Sequence, residues 1–535
     1  MSYKRIHFSK PIVLIVTLIL VLSSAIGAFA DVKLPTIISD NMVLQQGMQV
    51  GIWGWAEPGE KVAVSGSWQI GSWNTTTGKN GKWMVKIEPP KAGGPYKMTI
   101  SGENTIALKN ILVGEVWICS GQSNMEMGVG LVTNAKQEIA GADYPSIRLF
   151  HVPLRASGKP EPDVDAEWRV CSPKNISTDN VWEGWPRGFS AVAYFFGREL
   201  HNKLNVPVGL IATSWGGSPI EPWTPPIGFK SVPELEDILG QVEQANLAYT
   251  KIVQEAMAEF EKWWPTAKEA LDAGKSVPLP PAWPTHSLKS SKKPTGLYNG
   301  MIHPLIPFAI RGAIWYQGEA NLSDGMLYYT KMEAMIGSWR KLWGQGDFPF
   351  YFVQIAPYRY RWGVPDPYRV PKLWEAQTAA LAIPNTGMAV TVDISDLDDI
   401  HPKNKQEVGR RLSLWALAKT YGRNDIVYSG PLYKSMAVEG KKIRISFDHL
   451  GSGLRTSDGQ SPTWFEIAGT DKKFVRAQAK IDGNTVLVWN EMITEPVAVR
   501  FGWHEEAEPN LINKEGLPAS PFQTEGWLVV ANNKK

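Results

Sequence analysis

The chain has 535 residues, 43% hydrophobic and 20% charged, which is too long for one ordinary core and normal for a globular protein of two to four domains. Residues 1–30 carry Lys4, Arg5 and Lys10 and no acidic residue, so beyond them 52 basic residues face 52 acidic ones. That balance removes electrostatic support for nucleic-acid or anionic-membrane binding, and two cysteines are too few for a disulfide scaffold.

The apolar run at 11–22 follows those three cations, and Ala28-Phe29-Ala30 supplies a small-x-small cleavage site. Residues 1–30 therefore read as a signal peptide, and the expected location is secreted or periplasmic. No later stretch offers about 18 uninterrupted apolar residues, so no membrane association is expected after cleavage.

Residues 31–110 predict an N-terminal β-domain. The runs 50–55 and 61–66 alternate with period two, and Glu57-Pro58-Gly59 and Lys79-Asn80-Gly81 supply turns, as in a small sandwich. From 111 to 425 the texture changes. Apolar strands at 208–213, 309–315, 350–355 and 387–392 alternate with helical stretches at 191–203 and 406–421. This predicts a three-layer α/β/α catalytic domain on a parallel sheet. A helical insertion interrupts it at about 225–296, where Leu235, Ile238, Leu239 and Val242 form an apolar face that Ile252, Met257, Phe260 and Trp264 extend. Period-two runs return at 442–447 and 485–489, so residues 426–535 predict a C-terminal β-domain. Cys119 and Cys171 read as two buried thiols, with a bridge between them as the alternative.

Gly121-Gln122-Ser123-Asn124 follows the apolar run 111–119. A serine where a strand ends and a helix begins presents its hydroxyl at a sheet rim, beside backbone N–H groups able to stabilise an oxyanion. Far downstream, Asp398-Asp399-Ile400-His401 offers an acid and a base on one loop. Two further Gly/polar turns follow predicted strands. They are Thr213-Ser214-Trp215-Gly216-Gly217-Ser218 and Tyr316-Gln317-Gly318-Glu319-Ala320-Asn321. Gln317 could donate its side-chain amide to an oxyanion, alongside the N–H groups of Ser123 and a glycine at 216–217.

These blocks resemble the SGNH hydrolase superfamily and, within it, the sialate O-acetylesterase family. The resemblance rests on the stretch from Trp117 to Glu126, that from Trp315 to Asn321, and Ile400-His401-Pro402 followed by Lys405, Val408 and Arg411-Leu412. Phe189 to Leu200 and Leu297-Tyr298-Asn299-Gly300-Met301 are similar too, so the likeness spans nearly the whole chain. It implies Ser123 as nucleophile, His401 as base and Asp398 as the orienting acid, with Asp399 as the alternative. It places Ser123, Gly216, Gly217 and Gln317 at the oxyanion site. The superfamily's third-block Asn is replaced here by Gln317-Gly318-Glu319. Gln122, Asn124, Trp215, Asn299, Glu319 and Asn321 are candidate substrate contacts.

The expected function is carbohydrate O-acetyl removal, with sialate O-acetylesterase as the leading example and acetylxylan or another polysaccharide esterase as the alternative. A non-catalytic carbohydrate-binding protein is the alternative of a different class. Among the 24 Trp residues, Trp215, Trp315 and Trp374 are candidates for stacking on sugar rings. Arg187, Arg359 and Arg361 are available for a sialic acid carboxylate. The sequence has no Cys/His metal spacing and no phosphate-cradling glycine loop, so neither cofactor nor metal is expected. The oligomeric state is open.

Overall fold

The structure, a computed structural model, describes residues 31–177, 185, 187–360 and 366–525. The expected leader lies outside the described residues. Strands β1 (Val43–Gln45), β2 (Val50–Trp55), β3 (Lys61–Gly66), β4 (Trp73–Thr76), β5 (Lys82–Ile87) and β6 (Gly93–Ser101) build an antiparallel N-terminal region, apart from the short β1. β2 alternates buried and half-buried positions, the pattern its period-two sequence predicts.

β7 (Thr105–Gly121) joins this region to the centre. Its first residues pair antiparallel with β6, and its last eleven, Ile111 to Gly121, are all buried. A strand buried on both faces needs an unbroken apolar run, and 111–119 comes close to one. The strand runs straight through position 110, and one apolar core extends from Val32 to Leu417.

The central sheet continues with β8 (Tyr144–His151), β9 (Trp168–Cys171), β10 (Val208–Ser214), β11 (Gly312–Tyr316), β12 (Phe350–Val353) and β13 (Thr386–Ala389). Their spatial order is β13-β12-β11-β7-β10-β8-β9, and every pairing is parallel except β8 with β9. Register places Trp117 opposite Gly312 and Ser120 opposite Trp315, so Trp117 and Trp315 point to opposite faces. Trp117 packs on Phe196, and Trp315 packs on Trp339. Those partners belong to Ala191–Leu204 and Leu327–Trp343, so helices cover both faces.

Beyond the centre, a separate apolar core holds Ile443, Phe465, Val488, Phe501 and Phe522. Antiparallel strands such as Lys442–Asp448 and Thr485–Trp489 line it. The insertion is dominated by one helix, Glu236–Asp272, of 37 residues, which follows short helical turns at Pro226–Lys230 and Pro233–Leu235. Leu235, Ile238 and Val242 pack with Phe229 and Leu288, as their spacing predicts. The continuation of that stripe does not pack on the body, because Ile252, Met257 and Trp264 are 38%, 52% and 63% exposed. Phe260 instead meets Trp263 and, on the returning loop, Trp283. Among the described residues no helix is long and apolar enough to cross a membrane. Cys119 and Cys171 are separate buried thiols, not a bridge.

Candidate active site

β7 lies between β10 and β11, which the chain reaches in opposite directions from it. In an open α/β sheet such a reversal leaves a crevice at the carboxyl ends of the strands, where ligands bind. Ser123 stands there, as the first residue of the one-turn helix α1 (Ser123–Glu126). Gly121 makes the turn possible: its φ is +146°, and a Cβ would fall 2.1 Å from the Tyr316 carbonyl oxygen of β11.

His401 reaches the serine from the loop after β13, and its Nε2 lies 2.9 Å from Ser123 Oγ. At that distance a neutral imidazole can accept the hydroxyl proton. Burial, reinforced by the Lys405 ammonium, holds His401 below its ordinary pKa and so favours the neutral ring, against a smaller opposing pull from Asp399. Arg411, on helix α2 (Lys405–Trp415), grips both Asp393 oxygens at 2.6 and 2.7 Å and fixes the start of the loop.

The residues predicted around this pair fall into two groups. The carboxylate beside the imidazole is Asp399, whose Oδ1 accepts the His401 backbone N–H at 2.9 Å and lies 3.7 Å from Nδ1. Asp398, the acid that spacing selects, is instead exposed and ion-paired with Arg359 at 2.9 Å. Gln317 is fully buried and donates to Gln122 Oε1, the Ser218 carbonyl and Asn321 Oδ1. Its amide is thus committed to three acceptors around the strand ends.

Gly216 does lie against the serine, since a Cβ there would meet Ser123 Cβ at 3.5 Å. Its N–H is donated to Glu126 Oε2 at 2.7 Å. Gly217 has φ +66°, and its carbonyl accepts Lys292 from the loop after the long helix. Among the substrate candidates, Gln122, Asn124, Asn299 and Asn321 are buried and bonded within the protein, and Glu319 is bonded to Asn124. Trp315 and Trp374 belong to the core.

Trp215 alone of these lines the adjoining cavity of about 890 Å³, together with Glu126, His151, Asp165, Glu167, Arg169 and Trp185. Trp185, which sequence reasoning missed, also packs on His401 with ring centroids 4.8 Å apart. The sequence around it shows neither helical nor strand periodicity, so no sequence signal marked it. Glu126 and Lys405 were visible in the matched blocks but had no assigned role. Burial raises the Glu126 pKa, while the Gly216 N–H, Trp185 and His151 pull it down. Arg359 pairs with Asp398 and Glu506, and Arg361 lies outside the described residues.

A family described as carbohydrate esterase, sialic acid-specific acetylesterase matches residues 113–268 and 279–417. The sialate O-acetylesterase of Rattus norvegicus is 33% identical over 477 residues, covering 82% of this chain and 83% of its own. That of Homo sapiens is 32% identical over 430 residues, covering 75% and 73%. Among solved structures, a carbohydrate acetylesterase from Xanthomonas citri superposes with TM-score 0.77 at 34% identity, over 93% of this chain and 100% of that one.

Proposed function

The chain belongs to the carbohydrate esterase family of sialic acid-specific acetylesterases, a family of carboxylic ester hydrolases, and we propose that it is a secreted serine esterase that removes O-acetyl groups from carbohydrates. The observation that carries this reading is the 2.9 Å approach of His401 Nε2 to Ser123 Oγ at the sheet's reversal point. The core is read as an SGNH-type α/β/α layer, with residues 31–110 and 426–535 as β-domains beside it.

His401 takes the proton of Ser123 as the oxygen attacks the acetyl carbonyl. Asp399 steadies the imidazolium that forms. The tetrahedral oxyanion meets the backbone N–H groups of Ser123 and Gly216, and Glu126 releases the second of these as the oxyanion develops. His401 then protonates the departing sugar hydroxyl, and water cleaves the acetyl-enzyme by the same route in reverse.

The relatives' names make an O-acetylated sialoside one substrate. A neutral acetylated polysaccharide such as acetylxylan is favoured by a different observation. Glu126, Asp165 and Glu167 line the cavity, and Arg169, the guanidinium among its described lining residues, is paired with Glu167 at 2.9 Å. A substrate carboxylate gains little from such a lining.

Acetate release from O-acetylated sialosides and from acetylxylan, by wild type and Ser123→Ala, tests the proposal. Ser123→Ala is expected to lose turnover while keeping its fold; turnover near the wild-type rate would overturn the assignment. N-terminal sequencing of the exported protein is expected to begin at Asp31.

A further inference from the structure

Beneath the Ser123–His401 pair lies a buried polar group that the esterase steps leave unused. Lys405, the first residue of α2, is fully buried. Its ammonium donates to Asn124 Oδ1 at 2.5 Å and lies 5.0 Å from the Tyr316 ring centroid. Asn124 Nδ2 in turn donates to Glu319 Oε1 at 2.6 Å and to the Ile400 carbonyl at 3.0 Å. Burying a lysine carries a desolvation cost of several kcal/mol, yet its direct hydrogen-bond partner here is a neutral amide.

We infer that Lys405, Asn124 and Glu319 form a clamp of positioning residues that sets the distance between nucleophile and base, and that the Lys405 ammonium disfavours a second positive charge on His401. The inference rests on the esterase reading.

Asn124 follows Ser123 directly, and Ile400 directly precedes His401. The link between them therefore ties the two backbones one residue away from the reacting atoms. It requires Nδ2 to face Ile400. The two charges enforce that orientation, because a flipped amide would set its NH₂ against the ammonium and its oxygen against the carboxylate. Glu319 also keeps its second oxygen buried without a hydrogen-bond partner among the described residues. That atom is explained if the carboxylate serves to orient the amide.

The charges around the pair are few. His401 faces Asp399 on its own loop, Lys405 on α2 and the Ser123 hydroxyl on α1. Lys405 faces Glu319 and Tyr316 after and at the end of β11, and Asp399. Burial pulls Lys405 down to about 7, against Glu319 and Asp399. The Lys405 charge in turn opposes protonation of His401.

The experiment is the pH dependence of 4-nitrophenyl acetate hydrolysis by the full chain. Wild-type turnover that is lost in Ser123→Ala tests the esterase reading by itself. Lys405→Met removes the charge at similar length. It is expected to lower kcat about tenfold with KM within about twofold, and to move the acid limb of kcat/KM up by about half a pH unit. Asn124→Ala, which cuts the link and keeps the ammonium, is expected to lower kcat at least as much without raising the limb. A Lys405→Met enzyme with an unmoved limb, whether its kcat is retained or falls together with its melting temperature, overturns the inference.

Discussion

The Glu126 carboxylate accepts the backbone N–H of Gly216 at 2.7 Å, on the residue that packs against Ser123. In the proposed mechanism this N–H binds the oxyanion, so in the free protein an oxyanion donor is already engaged by a carboxyl group. Glu126→Gln keeps an acceptor of the same reach and removes the charge. One oxyanion donor is worth about 10²–10³ in rate, so the competing acceptor matters. Glu126→Gln is expected to hydrolyse 4-nitrophenyl acetate at least as fast as wild type at pH 7. A fall of about tenfold or more would show that the carboxylate is required and not merely a placeholder.

Asp399 and Asp398 are adjacent but face different partners. Asp399 lies 3.7 Å from His401 Nδ1, whereas Asp398 is engaged with Arg359. Removing the charge that steadies the imidazolium should cost turnover, though less than in a triad with a short hydrogen bond. Asp399→Asn is expected to lower kcat about 10²-fold, and Asp398→Asn less than about threefold. Steady-state kinetics on the two variants decide between them, and the reverse ranking would return the role to Asp398.

The pH profile follows from the His401 environment. The imidazole is a base only when neutral, and burial together with Lys405 resists its protonation. The acid limb of kcat/KM is accordingly expected below about pH 6.5, the ordinary imidazole value. Asp399 acts in the opposite sense, so Asp399→Asn should lower the limb further. Rates across pH 4.5–8.5 at constant ionic strength check both signs, and a wild-type limb above the ordinary value would contradict the first.

Much of the centre was legible because a strand buried on both faces reads as a nearly continuous apolar run, as 111–119 does apart from Glu115 and 208–213 does up to Thr213. Ser123 was legible because Gly-x-Ser after such a run demands a tight turn. Other features depend on contacts that spacing does not encode. Asp398 is drawn away by Arg359, a residue 39 positions distant. Gln317 is claimed by Ser218 and Asn321 behind the strand ends. The stripe on the long helix was real as a pattern, but periodicity names a face and not what covers it. Trp264 therefore stands exposed, while Leu235 is buried.

Gly121 is where the sheet and the site depend on the same atom. Its φ of +146° suits glycine, and an added Cβ would sit 2.1 Å from the Tyr316 carbonyl oxygen and 2.7 Å from its carbon. Both are backbone atoms of the neighbouring strand, so no side-chain rotation relieves the clash. Either β7 and β11 separate or the turn that presents Ser123 is rebuilt. Gly121→Ala is expected to destabilise the protein by about 3 kcal/mol or more and to lose esterase activity even in whatever fraction folds. Chemical denaturation followed by Trp fluorescence measures the first effect. A variant with wild-type stability and turnover would mean that this strand junction is looser than the contact between Gly121 and Tyr316 implies.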